Sequence, residues 1–137
     1  DEVNPQAGID CAKDIYQQAG IQDPRTEIDC AEIYVPFSWY EPMWLENLGF
    51  CELGEGWKLT DEGVTTLDGS LPVNMSGGVL SSNPIGASGM IRFGEAALQV
   101  MGLAEDHQVE DAKMAMGHAY GGAAQFFAMW IVSSSKD

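Results

Sequence analysis

Residues 73–89 read VNMSGGVLSSNPIGASG, and this stretch decides how the chain folds. Its glycines, serines and asparagines close a polar connection that begins near residue 52, and long ordered connections in compact domains are often functional. Asn83-Pro84 then opens the longest predicted helix, which runs to about Gly102 with apolar residues at helical spacing. The stretch therefore predicts a functional loop joined to a long helix.

The residues before this stretch predict two helices with a strand between them. Residues 4–19 have small and apolar residues four apart, which is typical of an amphipathic helix, and Gly20 is placed to end it. Ala31–Val35 is short and apolar, as in a buried strand, and Pro36 ends it. The second helix is predicted over Ser38–Leu48, with Ser38 as its N-cap.

The residues after this stretch predict two strands. Lys113–His118 and Ala124–Val132 flank a Gly-rich turn, which is typical of an antiparallel hairpin. The order of elements indicates an α/β fold, with a mixed sheet, a C-terminal antiparallel hairpin and covering helices. A sheet of about three strands is thin for this many helices, so we expect the chain to be the latter part of something larger.

The charge balance excludes some classes of partner. The chain has 6 basic and 21 acidic residues, for a net charge of −15. Such a surface repels the phosphates of nucleic acid and anionic membranes, so neither is expected as a partner. No apolar run reaches the roughly 18 residues that a membrane span needs. With an acidic N-terminus and no visible signal peptide, the sequence indicates a cytoplasmic protein.

The three cysteines predict neither a metal site nor a disulfide framework. Cys11, Cys30 and Cys51 are odd in number, and their spacing is not that of metal ligands. We expect reduced thiols, most of them simply buried, and no metal.

Three segments together carry a resemblance to a known family. Residues 73–89 follow the pattern N-x-S/N-G-G, a short run, and G-H-P-x-G-A-S/T-G; residues 115–122, AMGHAYGG, lie where a C-x-G motif is found; residues 32–37, EIYVPF, lie where N-E-A-F or H-D-C-F follows a strand. In this order and spacing the chain resembles the C-terminal half of thiolases, in particular the sterol-carrier-protein type. The resemblance implies a thiolase-like layered fold in which residues 1–137 form a C-terminal domain that is incomplete without an N-terminal half. It also implies acyl-CoA chemistry with coenzyme A as a substrate or co-substrate and no tightly bound cofactor.

The chain departs from the thiolase pattern at the positions that matter for chemistry. Asn83 replaces the histidine of H-P-x-G, and Ala119 stands at the cysteine of C-x-G. Asparagine can donate a hydrogen bond to an oxyanion but cannot shuttle a proton at neutral pH. The nucleophilic cysteine of a thiolase belongs to the N-terminal half, outside this chain.

The groups left for catalysis are one histidine, one asparagine and two tyrosines. We predict that Asn83 holds the thioester oxygen and that His118, at the end of its strand, moves the proton, with Tyr120 and Tyr34 as secondary acid/base candidates. Each has a structural alternative: a helix cap for Asn83, a buried hydrogen-bonded residue for His118, and core packing for the tyrosines. The predicted substrate-binding residues are Gly77, Gly78, Gly86, Ser88, Gly121 and Gly122.

Three functions remain open. The first is a thiolase-like acyltransferase that cleaves or forms a C–C bond beside a CoA thioester, on a bulky or unusual 3-ketoacyl-CoA. The second is a retro-aldolase on the same scaffold, and the third is a non-catalytic lipid- or acyl-CoA-binding module. Thiolysis requires free CoA, and a retro-aldol step does not. The resemblance further implies a role in lipid metabolism or a degradation pathway, and either a homodimer or a hetero-oligomer with a small zinc-containing OB-fold protein.

Overall fold

The computed structural model describes residues 3–135, which fold into a small mixed sheet with helices on both faces. The first helix, α1 (Gln6–Ala19), ends at Gly20, which takes the left-handed conformation. A short helix α2 (Pro24–Glu27) precedes the first strand, β1 (Cys30–Glu32), and α3 (Tyr40–Asn47) follows it. α1, β1 and α3 appear in the predicted order, whereas α2 was not predicted from the sequence.

The polar connection from residue 52 to residue 82 contains two short helices that the sequence did not indicate. They are α4 (Gly56–Asp61) and α5 (Gly78–Ser81). Between them Val73 forms a parallel bridge to Ala31, so this connection covers the free edge of β1. The connection thus brings the Gly77–Gly78 turn close to the end of β1.

The C-terminal half of the fold is a helix followed by a hairpin. A 3₁₀ turn at Ile85–Ala87 leads into α6 (Ser88–Met101), and a second 3₁₀ turn spans Glu105–His107. The hairpin consists of β2 (Met114–Gly121) and β3 (Phe126–Ser133). The sheet order is β1-β2-β3, with β1 parallel and β3 antiparallel to β2. This confirms the predicted mixed α/β architecture and its hairpin.

Several predicted boundaries were wrong. β1 ends at Glu32 rather than Val35, because Ile33 and Tyr34 give their backbone N–H groups to side chains instead of a neighbouring strand. Ser38 does not cap α3, whose N-cap is Trp39 with no side-chain hydrogen bond. The strand predicted to end at His118 continues to Gly121, because Tyr120 and Gly121 still pair with β3.

The alternation of β2 divides the core into two parts. Met116 and His118 face α1 and α3, where the larger apolar cluster includes Trp44. Ala115, Gly117 and Ala119 lie on the opposite face of β2, toward α6, and are small, so α6 lies close to the sheet. Within residues 3–135, no helix is both long enough and apolar enough to cross a membrane.

Candidate functional site

The candidate site lies at the carboxyl end of the parallel strand pair β1 and β2. Tyr34 comes two residues after β1, Tyr120 is near the end of β2, and Asn83 precedes the 3₁₀ turn before α6. The Tyr34 hydroxyl donates a hydrogen bond of 3.1 Å to Asn83 Oδ1. The Tyr34 and Tyr120 rings meet edge to face, with their centroids 5.3 Å apart. Three residues predicted from sequence are thus in one connected group, at the strand ends where open α/β sheets bind ligands.

Three donors converge on the Asn83 side-chain oxygen. Oδ1 accepts from the Ser88 hydroxyl at 2.6 Å, from the Tyr34 hydroxyl at 3.1 Å and from the Ile85 backbone N–H at 3.2 Å. A backbone N–H can only donate, so the atom facing it must be the amide oxygen. The Nδ2 amino group therefore points away from these contacts. Nδ2 has no hydrogen-bond partner within residues 3–135 and belongs to an exposed residue, so it can donate to a ligand.

His118 is fully buried rather than exposed at the site. Its Nδ1 accepts from the Tyr34 backbone N–H at 3.2 Å, and its ring lies 5.1 Å from Trp44 and 5.8 Å from Phe127 between centroids. Burial lowers the pKa of His118 from 6.5 to about 3. The imidazole is therefore neutral at physiological pH, and it touches the candidate site through the Tyr34 backbone.

Tyr120 is half-buried within a group of aromatic rings. Its ring centroid lies 5.5 Å from that of Tyr40 and 5.2 Å from that of Trp44. Burial raises the pKa of Tyr120, and the neighbouring Tyr40 and Tyr34 raise it further. The phenol therefore stays protonated and can donate a hydrogen bond.

The predicted substrate-binding residues fall into three places. Gly77 and Gly78 form a left-handed turn with φ of 87° and 59°, and a Cβ on Gly78 would lie 3.1 Å from the Asn74 side chain. Gly86 is exposed in the 3₁₀ turn, whereas Ser88 is buried and its hydroxyl donates a hydrogen bond to Asn83. The remaining two, Gly121 and Gly122, belong to the hairpin end. The first two groups border Asn83 and β1; the hairpin glycines lie beyond Tyr120.

A buried ion pair beneath the Gly77–Gly78 turn was missed by sequence reasoning. Arg92 Nη1 lies 2.7 Å from Glu32 Oε2, and the Ser76 hydroxyl and backbone N–H also donate to the Glu32 carboxylate. Burial raises the pKa of Glu32, although Ser76 and Arg92 act in the opposite direction. The sequence signals for this pair were a charged residue within a predicted apolar strand, Glu32, and a charged residue on the buried face of α6, Arg92.

The cysteines are not arranged for nucleophilic catalysis. Burial raises the pKa of Cys30 to about 12 and that of Cys51 to about 11, and it also raises the pKa of Cys11. A thiol is nucleophilic as its thiolate. All three are free thiols in the described part of the chain, and they remain protonated at neutral pH.

A groove of about 750 Å³ lies between α1 and residues 46–53, remote from these residues, and none of the predicted site residues lines it. No group of three or more histidine, cysteine, aspartate or glutamate side chains in residues 3–135 is arranged to hold a metal ion.

Comparison with known proteins shows the family. The model of the thiolase C-terminal domain-like family matches residues 2–134. The acetyl-CoA acetyltransferase of Methanothermobacter thermautotrophicus is 35% identical over 128 residues, which is 93% of this chain and 33% of that protein. Human sterol carrier protein 2 is 35% identical over 113 residues, 82% of this chain and 20% of that protein.

Two further matches cover a similar part of larger proteins. The benzoylsuccinyl-CoA thiolase subunit BbsB of Thauera aromatica is 33% identical over 116 residues, 83% of this chain and 30% of that protein. A solved structure, the Ltp2-ChsH2(DUF35) aldolase, superposes with a TM-score of 0.81 at 27% identity, over 94% of this chain and 32% of that one. The chain thus spans a third or less of the relatives it matches, and it belongs to the thiolase C-terminal domain-like family.

Proposed function

We propose that the chain is the C-terminal part of a thiolase-superfamily enzyme that breaks or forms a C–C bond beside a CoA thioester by aldol-type chemistry. The observation that carries this proposal is the Asn83 carboxamide, whose oxygen is held by three donors and whose amino group is free. A fixed N–H donor stabilises the oxygen of a thioester enolate as negative charge develops on it. The N-terminus of α6 begins at Ser88, whose hydroxyl binds Asn83, and it adds a favourable dipole.

Tyr34 is the proton-transfer group in this proposal. In the retro-aldol direction, the 3-hydroxyl of a 3-hydroxyacyl-CoA loses its proton and the C2–C3 bond breaks. The products are a free aldehyde or ketone and a thioester enolate, which takes a proton at C2. As the C2–C3 bond breaks, the Tyr34 oxygen accepts the 3-hydroxyl proton while the phenol proton passes to C2 in the same concerted step, so the phenol is regenerated and the step balances without water or free CoA. Tyrosine is among the side chains that perform such transfers.

Thiolysis is the second candidate, and it rests on relatives named as an acetyltransferase and a thiolase subunit. It requires a cysteine nucleophile, and the three cysteines of this chain are protonated and not at the site. That nucleophile would have to come from another part of the complete protein. Asn83 and Ala119, which stand where thiolases have a histidine and a cysteine, favour the aldol route over thiolysis.

A row of aromatic rings beside the site supports a bulky acyl group as substrate. Tyr120 touches Tyr34, Tyr40 stacks on Tyr120, and Trp39 stacks on Tyr40 with centroids 4.2 Å apart. Trp39 is 52% exposed, so the row reaches the surface. Such a surface suits an apolar ring or a branched chain attached to the CoA thioester. In this proposal coenzyme A is part of the substrate, and no tightly bound cofactor is needed.

We further propose that the chain works within a larger assembly. Its relatives are several times longer, and the structural neighbour is named as a two-component aldolase. An N-terminal thiolase half and a small zinc-containing OB-fold partner remain predictions drawn from the thiolase resemblance, as does the homodimer alternative. The free thiols fit a reducing compartment such as the cytoplasm, and a place in lipid breakdown fits the substrate class.

The test is the activity of the complete protein with single side-chain changes at the site. Asn83→Ala should lower kcat for C–C cleavage by about 10²–10³-fold, as expected for one oxyanion donor. Tyr34→Phe should lower it by about 10²–10⁴-fold, as expected for an acid/base group. Tyr16→Phe is the matched control, because this phenol binds the Leu48 carbonyl on α3, away from Asn83.

The size of these losses shows whether the Asn83 and Tyr34 side chains take part in the reaction. If Asn83→Ala and Tyr34→Phe both keep activity within a factor of about three, neither group contributes the expected transition-state interaction. The site would then be structural and the catalytic groups would lie elsewhere, whereas a wild-type protein that binds an acyl-CoA without cleaving it would favour the lipid- or acyl-CoA-binding module.

A further inference from the structure

Residue 34 lies where the chain has left the sheet, yet both of its backbone polar groups are bonded. The last β1–β2 pair is Glu32 with Gly117, so no strand neighbour is available to Tyr34. Its N–H donates to His118 Nδ1 at 3.2 Å, and its C=O accepts from Trp44 Nε1 at 2.7 Å. Two side chains from β2 and α3 thus take the place of a neighbouring strand at this one residue.

We infer that His118 and Trp44 form a two-sided clamp on the Tyr34 backbone, and that both act as positioning residues for the Tyr34 phenol. The inference rests on the proposed role of Tyr34 in proton transfer. It assigns His118 to work through Tyr34 rather than to exchange a proton with the substrate.

The clamp is rigid because both of its members are buried and in contact. Trp44 is 1% exposed and His118 is 0% exposed, and their ring centroids are 5.1 Å apart. Phe127 packs on both rings, at 5.7 Å from Trp44 and 5.8 Å from His118. Close-packed side chains of this kind hold one rotamer and transmit a displacement to whatever they touch.

The clamp decides where the phenol points. With its N–H and C=O both held, residue 34 cannot rotate about its backbone without breaking a buried hydrogen bond. Its side chain is then directed toward Asn83, and the phenol hydroxyl donates to Asn83 Oδ1 at 3.1 Å. A misplacement of about 1 Å in a reacting group can cost on the order of 10² in rate.

The clamp also fixes the tautomer of His118. The Tyr34 N–H can only donate, so Nδ1 must carry a lone pair and Nε2 must carry the proton. Nε2 is buried and has no hydrogen-bond partner within residues 3–135. Burial holds the imidazole in its neutral form, since it lowers the pKa of His118 to about 3. A neutral, enclosed imidazole is better suited to accept a fixed hydrogen bond than to carry a proton to or from a substrate.

The experiment compares an acceptor-retaining and an acceptor-removing change at residue 118 in the complete protein. In His118→Asn the amide oxygen can stand near the place of Nδ1, whereas His118→Leu removes the acceptor. Trp44→Phe removes the indole N–H and keeps an aromatic ring. His107→Asn and Trp57→Phe are the controls, because His107 pairs with Glu95 and Trp57 is 56% exposed.

Two readouts are needed: hydrogen–deuterium exchange of the peptide that contains Tyr34, and kcat with KM for C–C cleavage. His118→Leu should speed exchange of the Tyr34 amide by at least about tenfold and lower kcat by about 10²-fold, with KM changed less than about threefold. His118→Asn should keep the slow exchange and stay within about tenfold of the wild-type kcat, as expected of a side chain that still supplies the acceptor. Trp44→Phe should lower kcat with little change in KM, and the controls should match wild type.

Two outcomes would overturn the clamp. One is a His118→Asn protein that exchanges slowly at Tyr34 yet loses as much kcat as His118→Leu, which would make the imidazole itself the proton carrier. The other is unchanged Tyr34 exchange in His118→Leu, and if that variant does not fold, an unchanged kcat in Trp44→Phe overturns the clamp. Because exchange is measured without substrate, a wild-type protein that lacks C–C cleavage would refute the proposed function and leave the clamp testable.

Discussion

At the Asn83 carboxamide, three donors on one oxygen determine which way a single side chain faces. The Ile85 N–H can only donate, so the Asn83 atom that faces it must be the amide oxygen. The Ser88 and Tyr34 hydroxyls donate to the same oxygen and stabilise this orientation. The free amino group is therefore directed by its surroundings before any ligand arrives. This kind of preorganisation is what makes a neutral amide useful next to a developing negative charge.

The buried imidazole of His118 has a consequence for stability that can be measured. Its folded pKa of about 3 lies below the ordinary value of 6.5, so between these values the unfolded chain binds more protons than the folded one. Its contribution is fully present above pH 6.5 and is lost as the pH falls toward 3. The slope approaches about 1.4 kcal/mol per pH unit for one proton.

We expect the free energy of unfolding of the wild type to fall more steeply than that of His118→Asn between pH 6.5 and pH 4. Denaturant unfolding of both proteins at several pH values gives the difference. Parallel curves for the two proteins would mean that folding does not lower the pKa of His118.

At the scale of elements, the approach of α6 to β2 places Asn83 beside Tyr34. A Cβ built on Gly89 would lie only 2.7 Å from the Cβ of Ala119. The first turn of the helix can therefore reach the end of β2 only because residue 89 has no side chain. Gly94, in the same helix, has open space within 4 Å of its Cβ position and is the natural control.

Gly89→Ala should destabilise the protein by about 1–3 kcal/mol through overpacking and should also lower activity, because Asn83 is displaced. Gly94→Ala should be neutral or stabilising by up to about 1 kcal/mol, since alanine favours the helix. The double change Gly89→Ala with Ala119→Gly should recover most of the loss, as measured by thermal unfolding and by kcat. Equal effects of the two glycine changes would show that α6 does not pack on β2 in this way.

Sequence patterns predicted the order of the main elements and the end of α1, but not the end of β1. Helical spacing and Gly20 gave α1 its length, since both are local features. The end of β1 depends on His118, which is 84 residues further along the chain from Tyr34, and no local pattern reports that contact. For the same reason the Glu32–Arg92 pair, with partners 60 residues apart, was not foreseen.

The candidate site was predictable to the extent that it depends on residue type in a motif. Asn83 and Tyr34 stood out because they depart from a pattern, and they do meet. His118 stood out for its chemistry, yet its burial depends on how Trp44 and Phe127 pack around it. Whether a histidine is open to a substrate is a property of the packed core, which a sequence motif does not contain.

At the scale of the whole molecule, the strongly acidic charge of the chain bears on where the phosphates of CoA would bind. The net charge is −15 and there are only 6 basic residues, of which Arg92 is buried against Glu32. CoA carries several phosphate charges, which such a surface repels. The proposed division is that this chain supplies Asn83 and Tyr34, and that phosphate contacts come largely from outside it.

The central claim is that this site serves aldol-type cleavage beside a CoA thioester. The most direct measurement is the cleavage of a bulky 3-hydroxyacyl-CoA by the complete protein, with products followed by mass spectrometry in the presence and absence of free CoA. The account predicts a shortened acyl-CoA and a free aldehyde or ketone at the same rate with or without added CoA. Cleavage only of the 3-ketoacyl-CoA, and only when free CoA is supplied, would contradict it and establish thiolysis.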